Sequence, residues 1–233
     1  MASALERSEK FRAHRVLMIL REKLTIHDED FAAVLVAKET CDPFRVLIVT
    51  ILSQSCTDIA AMRAYKALDK QVGIIPIKLS NANSHTIERA ICVAGLHRQK
   101  SKAIKSLSQI ICDKYSGKMN KILDLPFQSA REKLQELPKV GPKTADVLLS
   151  ILGLPTISVD THVERVSKRL ELTGSKSKYE QIRTDLMHLF NKKEYSIVPL
   201  LFMAHGRNYC KARRPLCPTC PVENWCHYSM KTT

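Results

Sequence analysis

The stretch that decides the fold runs from Leu137 to Asp146 and reads LPKVGPKTAD. Apolar residues at helical spacing lie on both sides of it, so it predicts a tight turn between two helices. The first N–H groups of a helix have no partner within the helix, and such a turn is therefore a ready anion site. An ordinary connection in a helix bundle could contain the same glycine and proline. Lys143 favours the anion site, because the helix dipole disfavours a cation in the first turn without a phosphate or a chemical role.

A second motif, SVDTHVER at residues 158–165, begins another predicted helix. Thr161 and Glu164 match the capping box, which predicts Thr161 as the N-cap and leaves Asp160 one residue before it. In isolation this aspartate is best interpreted as a residue of the helix start. Beside Lys143 a chemical role becomes possible. A lysine nucleophile must lose a proton although free lysine titrates at about 10.4, and a carboxylate could accept that proton or stabilise a developing cation.

Four cysteines lie within seventeen positions near the end of the chain: Cys210, Cys217, Cys220 and Cys226. Four thiolates so close together predict a metal site, and their spacing suits a structural zinc and a [4Fe–4S] cluster equally well. A disulfide framework fits poorly, because no apolar signal segment starts the chain and the other four cysteines are scattered through apolar stretches. The loop between the first two thiols carries Lys211, Arg213 and Arg214, which indicates an anionic polymer as partner.

The charge of the chain agrees with such a partner. Lysine and arginine number 37 against 23 aspartates and glutamates, giving a net charge of +14 and a pI near 9.5. This excess is typical of proteins that bind phosphate backbones. No segment approaches the roughly twenty apolar residues of a membrane-spanning helix, and none has the pattern of an interfacial helix. We therefore expect a soluble, intracellular protein with no membrane partner.

Apolar residues follow a helical period almost throughout, which predicts an all-α chain. Asp42 followed by Pro43 predicts a helix start, so the apolar run Val46–Leu52 is interpreted as a buried helix rather than a strand. The predicted helices cover residues 8–24, 28–37, 43–52, 58–68, 85–94, 100–115, 129–137, 143–152, 161–170, 179–190 and 195–204.

Four separated motifs together resemble a known family. They are LSQSCTD at 52–58 after Pro43-Phe44, GLHRQK at 95–100, LPKVGPKTADVLL followed by VDTHVERV, and HGRNYC leading into the cysteine spacing C-x6-C-x2-C-x5-C. In order and spacing they resemble endonuclease III of the helix-hairpin-helix DNA glycosylase superfamily, over nearly the whole chain. The resemblance implies an all-α, two-domain helix-hairpin-helix DNA glycosylase fold with a C-terminal [4Fe–4S] cluster on the four cysteines. N-terminal helices within residues 1–35 would pack with the cluster domain, residues 36–155 would form a six-helix barrel with the helix-hairpin-helix at 129–152, and residues 156–233 would form the iron–sulfur cluster domain.

The resemblance also implies an activity. It indicates a bifunctional DNA glycosylase and abasic-site lyase that removes damaged, oxidised pyrimidines in base excision repair, with Lys143 as the nucleophile at C1′ and Asp160 as the assisting carboxylate. The implied partner is double-stranded DNA with damaged bases or abasic sites, bound by a monomer in the cytoplasm or nucleoid of a prokaryote or the nucleus of a eukaryote. Candidate DNA contacts are Gln54, Ser55, Leu96, His97, Lys139, Val140, Gly141, Thr144, His162, Arg165, Arg207, Lys211, Arg213 and Arg214.

The chain departs from the family pattern at three positions. Lys139 stands where the hairpin usually begins with glycine, at a cost of about 1 kcal/mol if its φ is positive. Ser55 replaces a glutamine that helps to fill the gap left by the extruded base. His97 replaces a tyrosine. These changes bear on which lesion or opposite base is tolerated.

Two other functions remain open at this point. One is a mismatch-specific thymine or uracil glycosylase without lyase activity, which is disfavoured because such relatives generally lack the lysine found at position 143. The other is a non-catalytic DNA-binding protein with a zinc site. Adenine-excising relatives are disfavoured because Val46–Leu52 carries no acidic residue.

Overall fold

The computed structural model describes residues 4–228, and within them every regular element is helical. The prediction of an all-α chain is confirmed. The α-helices are α1 (Ala4–Lys23), α2 (Ala32–Thr40), α3 (Pro43–Ser53), α4 (Asp58–Gln71), α5 (Pro76–Asn81), α6 (Ser84–Ala90), α7 (His97–Tyr115), α8 (Asn120–Leu123), α9 (Phe127–Gln135), α10 (Pro142–Ile151), α11 (Thr161–Arg169), α12 (Tyr179–Leu189) and α13 (Ile197–Asn208).

The chain folds as two compact units. The central unit comprises His27–Leu154, and the terminal unit combines the described residues up to Ile26 with those from Pro155 onward. The outer ends of the predicted first and third domains, residues 1–3 and 229–233, lie outside the described residues. No helix within residues 4–228 is long and apolar enough to cross a membrane.

The core of the central unit surrounds α3. Asp42 caps this helix, since its Oδ1 accepts from the N–H of Phe44 at 2.9 Å, and Pro43 occupies the first helical position. Every residue from Phe44 to Leu52 except Arg45 is buried. A helix that is apolar on all sides must lie inside the protein, and each fully buried aliphatic side chain contributes about 1.5–3 kcal/mol. The interpretation of this run as a buried helix is confirmed.

Two predicted helices are interrupted. Residues 28–37 contain a 3₁₀ turn at Asp28–Asp30 and then α2, because the buried Phe31 between them is extended, with φ −134° and ψ 92°. Residues 85–94 divide into α6 and a 3₁₀ turn at Cys92–Ala94, after which Gly95 has φ 64°. The prediction of one continuous helix was therefore wrong for each of these two segments.

Helices α9 and α10 form the predicted hairpin, and a buried ion pair joins them. The Nε and Nη2 atoms of Arg131 donate to Oδ1 and Oδ2 of Asp146, each at 2.8 Å. The two side chains are 7% and 0% exposed. Such bidentate pairs fix geometry as well as charge, so this pair sets how α10 lies on α9.

In the terminal unit, α1, α11, α12 and α13 share a second core. Gly206 allows α13 to approach α11 closely. A Cβ atom built there would lie 2.9 Å from Nδ1 and 3.0 Å from Cβ of His162. Two 3₁₀ turns follow near the end of the described chain, Cys217–Thr219 and Glu223–Trp225, and Cys220 and Cys226 come directly after them.

Candidate functional site

The hairpin turn presents Lys143 to solvent in the first turn of α10. Gly141 is the N-cap and Pro142 the first helical residue, so the free N–H groups of the helix start lie at this turn. Lys139 has φ 64°, the left-handed conformation that favours glycine. The expected cost of about 1 kcal/mol for a non-glycine residue there therefore applies.

Gln54 joins the loop after α3 to the hairpin. Its Nε2 donates to the carbonyl oxygen of Lys139 at 3.0 Å and to Oγ1 of Thr144 at 3.1 Å. Val140 packs its side chain into the core and donates its N–H to the carbonyl of Leu137. Three of the candidate DNA contacts therefore have side chains that support the turn itself: Gln54, Val140 and Thr144.

A third loop adjoins these two, at the start of α7. Lys139 Nζ donates to Oε1 of Gln99 at 3.0 Å, which connects the hairpin turn to this helix. Leu96, just before α7, is 49% exposed and has φ 47°. Ser55 is exposed with φ 57°.

Backbone strain is concentrated in these loops. Three of the seven described non-glycine residues with positive φ lie here, namely Ser55, Leu96 and Lys139. Strained residues cluster at functional sites, where surrounding structure holds them in place. In the central unit the structure therefore brings together Gln54, Ser55, Leu96, Lys139, Gly141, Lys143 and Thr144, and His97 begins α7 beside them.

In the terminal unit Asp160 is the N-cap of α11. Its Oδ1 accepts from the N–H of Val163 at 2.7 Å, and its backbone is extended. The predicted capping box was wrong: Thr161 is the first helical residue, and Glu164 accepts from Lys168 at 2.6 Å. Aspartate and threonine both cap helices well, so two adjacent candidates left the choice to the tertiary structure.

Arg165 connects α11 to the end of α13. Its Nε donates to the carbonyl of Cys210 at 2.8 Å, and its Nη2 donates to the carbonyl of Gly206 and to Nδ1 of His162, both at 3.0 Å. A guanidinium group only donates, so Nδ1 of His162 is the acceptor and the proton of a neutral ring lies on Nε2. Arg165, a candidate DNA contact, is thus engaged within the unit.

The charges around His162 act in opposite directions. Burial lowers its pKa, the negative charge of Asp160 raises it, and the positive charges of Arg165 and Arg207 lower it again. The net effect is a lowered pKa, which agrees with the neutral ring that the hydrogen bonds require. Arg207 lies exposed at the end of α13.

Arg169 holds the loop that follows the first thiol, a role that no sequence motif indicates. Its Nη1 donates to Lys211 O at 2.7 Å and to Cys210 Sγ at 3.4 Å, and its Nη2 donates to Ala212 O at 3.0 Å. Cys226 Sγ donates to the carbonyl of Arg169 at 3.4 Å. A cation in the last turn of a helix has an ordinary explanation in the helix dipole, which concealed this role.

The basic side chains of this loop face solvent. Lys211, Arg213 and Arg214 are all exposed, and Arg214 has φ 50°. A surface loop whose backbone is fixed from beneath can present such charges in a defined arrangement.

The four thiols lie close to one another in the terminal unit, and all are free. Burial raises the pKa of Cys220 to about 11; the backbone N–H of Val222 opposes this, and the charges of the other three thiols add to it. His205 is 2% exposed, with Nε2 3.9 Å from Cys220 Sγ and Nδ1 without a hydrogen-bond partner. Burial, with a smaller effect of Arg165, lowers the pKa of His205 to about 4, so the ring is neutral.

Comparison with known proteins places this geometry in a family. Residues 48–192 match the family model for HhH-GPD superfamily base excision DNA repair proteins. Endonuclease III of Sulfolobus acidocaldarius is 34% identical over 218 residues, which cover 93% of this chain and 96% of that protein. A non-covalent endonuclease III–DNA complex has a TM-score of 0.79 at 31% identity, covering 98% of this chain and 97% of that one. A trapped endonuclease III–DNA covalent intermediate, an estranged-adenine complex, has a TM-score of 0.72 at 33% identity, covering 88% and 97%. The chain therefore belongs to the endonuclease III family of the HhH-GPD superfamily of base excision DNA repair proteins.

Proposed function

We propose that this protein is a bifunctional DNA glycosylase and abasic-site lyase that removes damaged pyrimidines, chiefly oxidised ones, from double-stranded DNA. The observation that carries the proposal is an exposed lysine, Lys143, in the first turn of a helix that follows a tight hairpin turn. A related endonuclease III has been trapped as a covalent intermediate with DNA, which supports a nucleophile of this kind. We expect the protein wherever chromosomal DNA lies, in the cytoplasm or nucleoid of a prokaryote or the nucleus of a eukaryote.

Lys143 supplies the amine. The protonated amine must first give a proton to a base, after which its lone pair attacks C1′ of the damaged nucleotide. As the N–C1′ bond forms, the glycosidic bond breaks and the base leaves with the bonding electrons and a proton. The nitrogen now bound to C1′ loses a proton, and its lone pair opens the sugar ring as the C1′–O4′ bond breaks and O4′ takes up a proton. The product is a Schiff base, which is an electron sink. Loss of a proton from C2′ then expels the 3′ phosphate as the C3′–O bond breaks, and water hydrolyses the imine to regenerate the amine.

Asp160 supplies a carboxylate for the same reaction. The helix cap engages Oδ1 and holds the side chain in one orientation. A carboxylate has a second oxygen, which can accept a proton from the attacking amine or stabilise the positive charge that develops on the sugar. In this proposal one residue thus combines a structural and a chemical role.

Two regions of the protein can contact the phosphate backbone of the DNA. The start of α10 offers outward N–H groups to a phosphate, and Lys143 and Lys139 add positive charge beside them. In the terminal unit, Lys211, Arg213 and Arg214 offer a second set of cations. Contacts of this kind position a protein on DNA without reading its sequence.

We also infer that Cys210, Cys217, Cys220 and Cys226 hold a [4Fe–4S] cluster. The donor set fits, because all four thiols are free and belong to one unit, and the charges of the other three help to raise the pKa of Cys220. Within residues 4–228 no group of three or more Cys, His, Asp or Glu side chains is arranged to hold a single metal ion. The preference for an iron–sulfur cluster over zinc rests on the resemblance to endonuclease III. When bound, the cluster would cross-link the C-terminal segment.

Borohydride reduction tests the nucleophile, because it converts the Schiff base into a stable covalent complex. We expect the protein to be trapped on an oligonucleotide with an abasic site, and Lys143→Gln to lose trapping while retaining its fold. Lys133→Gln is the matched control, since Lys133 is an exposed lysine of the same hairpin that pairs with Glu136. Undiminished trapping by Lys143→Gln would assign the nucleophile to another amine. If the unmodified protein releases an oxidised pyrimidine from a damaged duplex but is not trapped, it is a glycosylase without lyase activity. If it shows neither base release nor trapping, it is a DNA-binding module.

Iron content tests the cluster. We expect iron and visible absorbance in the purified protein, and their loss in Cys217→Ser, because metal binding contributes to the folding of such a segment. Cys92→Ser is the control, since Cys92 is an exposed thiol of the central unit. Zinc in place of iron, or full iron content in soluble Cys217→Ser, would contradict the assignment.

A further inference from the structure

Lys100 in α7 is among the largest fully buried side chains of the described residues, at 1% exposure. Its Nζ donates to the carbonyl of Leu52 at 2.8 Å and to the carbonyl of Ala94 at 2.7 Å. Lysine is almost never fully buried unless it is paired. Burial lowers the pKa of Lys100, and Cys56 and Lys139 lie near enough for their charges to act on it. Burying an ammonium group costs free energy, so its place in the core calls for a structural or functional explanation.

The two acceptors lie at the bases of two loops. Leu52 is in the last turn of α3, two residues before Gln54 and three before Ser55. Ala94 ends the 3₁₀ turn immediately before Gly95 and Leu96. One ammonium group therefore connects the backbone at the points where both loops begin. The carbonyl of Leu52 also accepts from Sγ of Cys56 at 2.9 Å, so Lys100 adds a second, charged donor to this end of α3.

Both loops reach strained residues within three positions of these bonds. Ser55 has φ 57° and Leu96 has φ 47°, and both are exposed. Non-glycine residues persist in this conformation only where the surrounding structure over-determines them. An exposed leucine beside an anion-binding hairpin has the character of the apolar wedges that proteins insert between base steps. The position of Leu96 relative to Ser55 then decides how these two side chains fit into a duplex.

We propose that Lys100 is a positioning residue that fixes the separation of Ser55 and Leu96, and thereby allows the enzyme to act on an abasic nucleotide within a duplex. The inference rests on the proposed lyase function and extends it. In a duplex, the space left by an extruded nucleotide must be occupied from both loops at once. In single-stranded DNA no stacked partner strand borders that space, so the same bond can break without this pair. Lys100 itself donates to two carbonyls in the core and takes no part in bond breaking.

The test compares one chemical step in two settings, β-elimination at an abasic site in a single strand and in the same strand annealed to its complement. Lys100→Met keeps the length and apolar stem of the side chain and removes the donor. We expect its duplex rate, measured in single turnover, to fall by about tenfold or more, with the single-strand rate changed less than about threefold. Lys105→Met is the matched control, because Lys105 lies on the same helix and donates to the carbonyl of Ala82 at 2.7 Å, away from both loops. It should keep both rates.

The ratio of the two rates decides the outcome. If Lys100→Met folds and the ratio is unchanged, or both rates fall together, Lys100 only stabilises the fold and the proposal is overturned. If Lys100→Met does not fold, Lys100→Gln, which keeps a shorter donor, is measured by the same ratio. An unmodified protein that cleaves neither substrate would refute the lyase function itself, which is a different result from an unchanged ratio.

Discussion

Asp160→Asn separates the cap role of this residue from the chemical role proposed for it. Asparagine caps helices about as well as aspartate, so its amide oxygen can accept the same bond from Val163 that Oδ1 accepts at 2.7 Å. What the substitution removes is the negative charge. If that charge assists the breaking of the glycosidic bond, excision should fall while the fold remains.

The expected effect on stability follows from the cap geometry. A charge at a helix N-terminus is worth about 0.3–1 kcal/mol at partly exposed positions, and a protein of this size loses about 2–4 °C in Tm per kcal/mol. Asp160→Asn should therefore lower Tm by at most about 4 °C. Asp160→Ala also removes the cap bond and should cost about 0.5–2 kcal/mol more. Excision by Asp160→Asn should fall by more than about tenfold, equivalent to about 1.4 kcal/mol on the barrier.

Thermal unfolding by circular dichroism and single-turnover base excision with enzyme in excess measure the two effects separately. Asp42→Asn is the matched control, because Asp42 is also an aspartate N-cap and accepts from Phe44 at 2.9 Å. It should show a similar change in Tm with normal excision. A fall in excision of less than about tenfold in Asp160→Asn would reduce Asp160 to a helix cap. A loss of Tm well beyond that of Asp42→Asn would contradict the reasoning about the cap.

Three further predictions concern the fold and the DNA contacts. Arg131→Met removes both charged hydrogen bonds to the buried Asp146 and should cost about 3–5 kcal/mol in urea unfolding, whereas replacing both residues by apolar ones should recover much of this. A loss below about 1 kcal/mol would show that the pair is not buried in solution. Gly206→Ala should destabilise the protein by about 1–3 kcal/mol, because the added Cβ would lie 2.9 Å from Nδ1 of His162. An unchanged free energy of unfolding would contradict the close approach of α13 to α11. Replacing both Arg213 and Arg214 by alanine should weaken binding to damaged and intact duplexes alike. The slope of log affinity against log salt should become flatter by about 0.9 per lost contact, and an unchanged iron content is the control. An unchanged slope would assign DNA binding to the hairpin.

Local signals in the sequence predicted the helices well. Asp42 and Pro43 mark the start of α3 because capping depends on neighbouring residues, and the hairpin was found from the glycine, proline and lysine of one short motif. The break at Phe31 was missed, because burial of this side chain favours an extended backbone at one residue within an otherwise helical pattern.

Residues that act over long sequence distances could not be found in this way. Lys100 contacts a carbonyl 48 positions away and Arg169 a carbonyl 42 positions away, and each lies in a helix where a lysine or arginine is unremarkable. Asp160 as the cap of α11 was missed for a different reason, since Thr161 satisfies the same local rule. Motifs thus indicate which side chains carry chemistry, whereas the side chains that hold them in position become visible only once the chain is folded.

Arg165 and Arg169 lie one helical turn apart on α11 and together bind the carbonyls of Gly206, Cys210, Lys211 and Ala212. The backbone of the segment that leads from the first thiol is therefore held by α11. Fixing the backbone of one residue costs roughly 1–2 kcal/mol of conformational entropy. Because α11 already fixes this backbone, less conformational entropy would be lost when the four thiolates bind the proposed cluster. The affinity for the cluster would be higher for that reason. Helix α11 would thus preorganise this segment for the proposed cluster without supplying a ligand.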